Sequence, residues 1–581
     1  MKKGYTRNLI ILAMMGVGVL PGMSAYAAPP AISAGEAAVL ADGGNQANAI
    51  MRKNQWQNRQ WMQKQVAAGE KMKSESPKAE EKNQAFDASE KIKVSGFHII
   101  GQDIYPEETL IALLSDYQGK DMSFSDLQKG ADRITSFFRS HGYIVARAVI
   151  PQQDVTNGTV TYQVEVGRFD TPEIINHTKI KDTAVQHQAQ AIREGEYVTR
   201  ERLERAVWLV SDMADADARV ALSPGKDPGT VHVTLTVEPY ETKHGLVTAD
   251  NYGSRAMGYN EYGINYDFTN PNLYGDHFMT GISTSGRHMF NWGVNYRTPL
   301  SRDGLNLLAG YNVFSYDMGG VGPSRTASIG LEYALRRSRL HNLYTGLRLE
   351  HSRIKDEYRA FDATYGDKNG NAMVLSLRGD DQDTEGMTDW TLEWKLGHIS
   401  NAAFTSDNIY SRWMAGDPRT AGDYSKLRGS IERHQNINER TYLLLSAFGQ
   451  YAFTDLDSSE HFSLGGPYGV KAYPTSEASG DSGYITRAEL RWLIPLKAYE
   501  QQFQLAVYAE HGGIWYNHHR DINPGVRNHR NLQGAGIGLI WQRHQDWFLR
   551  MDYAWKLGAE DPESDTRHKN GQFWIRGGFY F

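Results

Sequence analysis

The 581-residue chain contains no cysteine. That excludes disulfides, thiolate metal sites and a lipid-anchoring cysteine. It also lacks any apolar run of the roughly 18 residues that a transmembrane helix needs. Beyond a leader at its start, a membrane span therefore has to be a β-barrel, the other structure that satisfies every backbone group in lipid. A large charge of one sign is missing too. The formal net charge is −6, and nothing in it announces a nucleic-acid partner. Motifs for chemistry are equally scarce. Gly281-x-Ser283-x-Ser285-Gly286 is not a nucleophile elbow. Asp367-x-Asn369-x-Asn371 begins like a calcium loop, but Ala372 replaces the required Gly and Arg378 the closing acid. His518, His519 and His529 share one loop and read as solvated. No phosphate-cradling Gly-Lys-Ser/Thr appears. The expectation is a protein that is not an enzyme and carries no cofactor or metal.

What is present divides the chain into parts, since 581 residues exceed one compact domain. Residues 1–27 read as a secretory signal peptide, with Lys2, Lys3 and Arg7 ahead of an apolar run and Ala25-Tyr26-Ala27 as the cleavage site. Residues 28–70 hold a stretch, 36–68, dense in Asn and Gln, consistent with a helix polar nearly all round, which needs aqueous or polar surroundings. Residues 71–90 are charged and read as a linker. From Ile92 the pattern is strand, helix, helix, strand, strand. Ser123-x-x-Asp126 caps a helix whose Leu127, Ala131, Ile134 and Phe138 recur at helical spacing. Strands follow around Val145–Ile150 and from Val160 to Val166. The same order returns with Leu203, Val207 and Val210 on a helix and Val231, Val233, Leu235 and Val237 along a strand. This internal repeat of about 70 to 80 residues implies two α+β units, 91–169 and 170–241.

Residues 242–581 lose all helical signals and alternate with period two. Sixteen segments can be counted, and several have clean faces. Trp390, Leu392, Trp394 and Leu396 alternate with Thr391, Glu393 and Lys395. An even strand count with apolar-out, polar-in alternation and abundant aromatics predicts a 16-stranded antiparallel transmembrane β-barrel. Long connections are expected after strands seven, nine, eleven and thirteen, and short ones after ten, twelve and fourteen. Barrels keep the long loops outside. The sixth outer loop then contains Phe462 to Gly480, rich in Gly, Pro and Ser, followed by a strand with Ile485, Arg487, Glu489 and Arg491 on its polar face.

That loop resembles the sixth extracellular loop of the Omp85 superfamily, in particular the outer-membrane transporters of two-partner secretion, the haemolysin secretion/activation family. The family pattern V-R-G-[FY], or G-V-R-A-Y-P in one subgroup, reads here Gly469-Val470-Lys471-Ala472-Tyr473-Pro474. Residues 91–169 resemble a POTRA domain of the same transporters through Gly142-Tyr143, Pro151-Gln152, Gly158 and Glu165-x-Gly167. The ending, with Phe579 and Phe581, resembles the strand by which barrels are recognised for insertion.

The resemblance implies an N-terminal plug helix lying in the lumen, two POTRA domains in the periplasm, and export of a large, separately encoded, unfolded exoprotein of adhesin or haemolysin type. It implies periplasmic chaperones, the barrel assembly machinery and outer-membrane lipid as further partners, and export driven by folding outside. In the family the loop Arg meets an Asp in F-x-D-x-G. Here Lys471 faces Tyr508-Ala509-Glu510-His511-Gly512, so both partners differ, Glu510 taking the place of Asp. A Lys471–Glu510 pair is expected, with function partly retained when the two charges are exchanged. An exported segment is expected to dock on the first unit at Leu127, Ala131, Ile134, Phe138, Val145 and Val149, adding a strand along the Val145–Ile150 edge beside the apolar helix. A barrel-assembly factor of the same superfamily, a passive porin and an outer-membrane enzyme are the rival readings.

Overall fold

The computed structural model describes residues 91–581, less short stretches at 241–242, 256, 287, 318–319, 359–361, 476, 495–500, 520–526 and 544–545. The expected signal peptide, plug helix and linker lie outside the described residues.

In the first unit, Thr159–Glu165 is the central strand, parallel to Gly96–Ile100 and antiparallel to Arg147–Val149. Helix Phe124–Ser140 opens with the expected capping box: Ser123 accepts from the Asp126 amide and Asp126 answers the Ser123 amide. Its Leu127, Ala131, Ile134 and Phe138 are buried in the core with Val160, Tyr162 and Val164. The helix expected before it, over Pro106 to Tyr117, is shorter in the structure. It runs Glu107–Ala112 and ends in a separate 3-10 turn, Ser115–Tyr117.

The second unit repeats this plan. Helix Arg200–Ser211 is capped by Thr199, and strands Ala216–Pro224 and Thr230–Pro239 pair antiparallel. Leu203, Val207, Val210, Val233, Leu235 and Val237 form its core. The strand Arg168–Phe169 already belongs to the second unit's sheet, parallel to Thr230–Val231, and the units touch through Arg200 N–H on the Gly142 carbonyl (2.8 Å) and through the Tyr197 hydroxyl on Asp103.

Sixteen antiparallel strands, from Gly245–Asp250 to Gly571–Tyr580, close into one barrel. The first pairs with the last through Leu246 opposite Tyr580 to Asp250 opposite Arg576. Leu392, Trp394, Leu490, Trp492, Tyr553 and Trp555 are exposed on the outer face, whereas Lys395, Glu489, Arg491 and Asp552, offset by one residue, point inward and are buried. The expected long loop after strand seven is instead mostly strand. His341–Tyr358 and Ala363–Gln382 continue pairing to Tyr358 opposite Ala363. Both lengths reach well beyond the roughly 9–11 residues a bilayer requires. The Asp367–Asn371 segment lies within this extension.

The second unit is fastened to the inner rim of the barrel. Gln188 brackets the turn after strand four, donating to the Leu300 carbonyl and accepting from the Gly304 amide, both at 3.0 Å. Arg205 donates to Asp303 (2.6 Å) and to the Ala334 carbonyl (2.8 Å). Arg337 grips Asp212 through two bonds of 2.7 Å. The Ala214 amide reaches the Gly275 carbonyl in the turn after strand two (3.0 Å). Gly275 sits at φ +73°, and a Cβ there would lie 2.6 Å from Met213. Only glycine meets both the left-handed backbone and the close approach.

Candidate functional site: loop six inside the barrel

Loop six leaves strand eleven (Thr441–Ala452) and returns at strand twelve (Ser482–Ile494). A two-residue ladder, Phe462–Ser463 with Ser479–Gly480, closes its stem. Phe462, Leu464, Val470, Ala472 and Tyr473 then pack on Phe448, Ile485, Tyr508, Ile514, Leu532 and Ala554 of the wall, all almost wholly buried. Apolar burial of this kind stabilises by about 25 cal/mol per Å², so the loop is held as a folded element. Three glycines set how closely it fits. A Cβ on Gly469 would lie 1.9 Å from the Leu464 carbonyl oxygen, one on Gly534 2.6 Å from the Ala472 Cβ, and one on Gly512 within 3.2 Å of Leu464 and Val470.

At the tip, Lys471 is bound in three ways. Its amide donates to Glu510 Oε2 (2.6 Å), its carbonyl accepts from Trp574 Nε1 (2.7 Å), and its ammonium lies 3.8 Å from the centre of the Tyr508 ring. The ammonium is 3.3 Å from Glu510, 3.7 Å from Glu489 and 3.9 Å from Asp552. The expected Lys471–Glu510 juxtaposition is therefore present, but the short side-chain bond to Glu510 comes from elsewhere. Arg487 Nε donates to Glu510 Oε1 at 2.6 Å, and Arg487 also donates to the Gly469 carbonyl at 2.9 Å. Arg550 joins Asp552 (2.7 Å) to Glu489 (3.1 Å), and Arg491 donates to Glu489 at 2.6 Å. A guanidinium carries the directional bonding in this network and the lysine supplies a compact charge, as their donor geometries dictate.

The return limb has its own anchor. Glu477, fully buried, accepts from Arg530 (2.6 Å), from the Glu563 and Ser564 amides (both 2.9 Å) and from the Ser564 hydroxyl (2.7 Å). The Tyr473 hydroxyl donates to the Glu560 carbonyl at 3.0 Å. Glu477 was invisible in the sequence because irregular backbone carries no periodicity, whereas Arg530 stands at the start of strand fourteen, His529–Arg543. Arg487, Glu489 and Arg491 were marked by theirs.

The docking residues on the first unit need correction. Leu127, Ala131, Ile134 and Phe138 are at most 2% exposed, so they form the core of the unit and offer no outer surface. Helical spacing identifies a buried stripe without saying what covers it. Val145 is half-buried against the second unit's core, and Val149 is half-buried on an edge strand. That edge is already occupied in part. The Ala148 amide donates to Thr135 Oγ1 (2.9 Å), and the Ala146 carbonyl accepts from Arg139 (3.1 Å). Phe579 and Phe581 are exposed on the outside of the last strand, and Phe581 exchanges both main-chain bonds with Gly245.

The chain matches the model of the haemolysin secretion/activation protein family (ShlB/FhaC/HecB) over residues 229–540, and that of the ShlB-type POTRA domain over residues 92–167. A heme/hemopexin transporter protein, HuxB, of Haemophilus influenzae is 24% identical over 487 residues, covering 82% of this chain and 84% of the relative. The outer membrane transporter CdiB of Dickeya dadantii is 23% identical, covering 74% of this chain and 76% of its own. Among solved structures, CdiB from Escherichia coli superposes with a TM-score of 0.73 at 18% identity, over 94% of this chain and all of that one. CdiB from Acinetobacter baumannii gives 0.67 at 18% identity, over 93% and 99%. A 16-stranded barrel with an inward-folded sixth loop, a POTRA domain and a profile match across more than half the chain together place this protein in the haemolysin secretion/activation family.

Proposed function

We infer that this chain is the outer-membrane translocator of a two-partner secretion system, exporting a large, separately encoded exoprotein of adhesin or haemolysin type in an unfolded state. The barrel sits in the outer membrane with its POTRA region in the periplasm. The observation that carries the reading is the sixth loop lodged against the inner wall and tied at its tip to Glu510. A passive porin has no use for that arrangement. In this reading residues 1–27 are the signal peptide, 28–70 the plug region, 71–90 its linker, 91–169 and 170–241 the two POTRA domains and 242–581 the barrel. The chain performs transport and no catalysis. Periplasmic chaperones and the barrel assembly machinery deliver it to outer-membrane lipid through the strand ending in Phe579 and Phe581. The exported segment adds along Arg147–Val149 once Thr135 and Arg139 release that edge.

The test is secretion of the separately encoded exoprotein. Deleting the chain should trap the exoprotein in the periplasm; surface display without it would overturn the reading. Glu510→Ala should impair secretion more than Lys471→Ala, because Glu510 serves both Arg487 and the Lys471 amide, while alanine at 471 keeps the amide bond. Exchanging the two charges should not rescue, since a lysine at 510 would face Arg487. Deleting residues 36–68 should raise single-channel conductance with the barrel still heat-modifiable.

A further inference from the structure

The outgoing limb of loop six meets the wall at strands eight to ten, beside the strand it leaves. Its 3-10 turn Ser458–Glu460 is capped by Asp457, which accepts from Lys368 Nζ at 2.9 Å. Glu460 accepts from Lys395 at 2.7 Å, and Lys426 donates to the Glu460 carbonyl oxygen while lying 2.7 Å from its carboxylate. Lys395 and Lys426 stand directly opposite each other on strands nine (Gly386–Asn401) and ten (Gly422–Asn438), and both are buried, at 6% and 1% exposure. Like charges directly opposed on one face destabilise a sheet, and buried ammonium groups require a compensating anion. Glu350 gives Lys395 one carboxylate at 3.0 Å. Glu460 is the acid that bridges the two lysines. These contacts lie on strands seven to ten, apart from the Lys471 cluster on strands twelve, thirteen and fifteen.

We propose that Lys395 and Lys426 form a carboxylate-binding site in the lumen wall, and that Glu460 occupies it as a detachable latch on loop six, separate from the Lys471 tip. With Glu460 withdrawn, Lys395 keeps Glu350 at 3.0 Å, and the position the Glu460 carboxylate held between Lys395 and Lys426 is offered to an acidic side chain of the passing polypeptide. The inference rests on the loop-six reading above, yet its readout is ionic current and needs no exported protein. Failure of the secretion assay would therefore leave it standing, and the reverse also holds.

The full-length protein is reconstituted in planar bilayers under a KCl gradient. Glu460→Gln should open several-fold more often and shift the reversal potential towards anion selectivity. Oligoglutamate added to the bath should block Glu460→Gln channels. It should block them far less once Lys395→Gln and Lys426→Gln are added. Parent-like gating and selectivity in Glu460→Gln, or equal block with and without the lysines, overturns the proposal. Where Glu460→Gln is not heat-modifiable, Glu460→Asp decides: one methylene shorter but still charged, it should open more often than the parent at unchanged selectivity. Parent-like opening there overturns the latch.

Discussion

The two periplasmic units build the same core and put it to different uses. Their long helices begin at Ser123 and Thr199, and the buried positions correspond in step: Leu127 with Leu203, Ala131 with Val207, Ile134 with Val210. Thr135 and Ser211 each lie twelve residues past their caps, and each hydroxyl accepts from an edge-strand amide, Ala148 (2.9 Å) and Ala218 (3.1 Å). The outward faces diverge. Lys129, Asp132 and Arg133 of the first unit are exposed, and Arg133 bonds Asp116 of its own unit. At the equivalent positions of the second unit, Arg205, Trp208 and Leu209 turn to the barrel, where Leu209 packs on Ala334 and Tyr344, and Arg337 lies over the Trp208 ring. A repeated core fixes the unit, and a few outer residues decide whether it is docked or free.

Breaking the docked side should have the largest effect. Asp212→Ala leaves the Arg337 guanidinium, 3% exposed, without its two short bonds. That should cost up to about 3–5 kcal/mol and raise protease cleavage between the second unit and the barrel. Asp116→Ala removes the half-exposed partner of Arg133, a solvent-screened pair whose loss should barely change stability and leave that cleavage unchanged. Equal cleavage in both variants would erase the distinction. Next, Ser211→Ala strands a buried Ala218 amide and should cost about 1–3 kcal/mol, read as faster hydrogen exchange at Ala218. Thr135→Val, on the less buried helix, should accelerate Ala148 less. Ser123→Ala should remove about 1 kcal/mol from the first unit.

The same cap has an acid limb. Lys129 first, and then Ser123, hold the Asp126 carboxyl down to about 2. Its contribution is complete above the usual carboxylate range and is lost as pH falls through about 2, so circular dichroism should show the Ser123→Ala penalty shrinking there. The smallest effect concerns the free edge. Thr135→Val with Arg139→Ala clears the Ala148 amide and Ala146 carbonyl, and should tighten exoprotein binding a few-fold without altering the barrel. Weaker binding would place docking elsewhere.

The barrel was legible because alternation is a local signal: Trp390 to Leu396 and Tyr484 to Trp492 declared their faces residue by residue. The repeat was legible through its helical stripes, and loop six through Gly469 to Pro474. Two kinds of feature escaped. The extension of strands seven and eight past Lys355 and Gly366 lies beyond the lipid, where no apolar face is required and the pattern fades. The acids that pin loop six, Asp457, Glu460 and Glu477, sit in irregular backbone, and their partners lie tens of residues away on other strands. The stripe from Leu127 to Phe138 was read correctly as apolar and wrongly as open, since a sequence pattern does not say which side of a helix the rest of the unit covers.

The clasp between the second unit and the barrel touches the turns after strands two, four and six. The apolar part of loop six packs on strands eleven to fifteen, and its outgoing limb is tied to strands eight to ten. The mouth of the barrel is therefore lopsided, roofed on one flank by a docked unit and floored on the other by the folded loop. On the transport reading proposed above, a polypeptide arriving past the docked unit has to cross the opening to reach the wall where the loop lies.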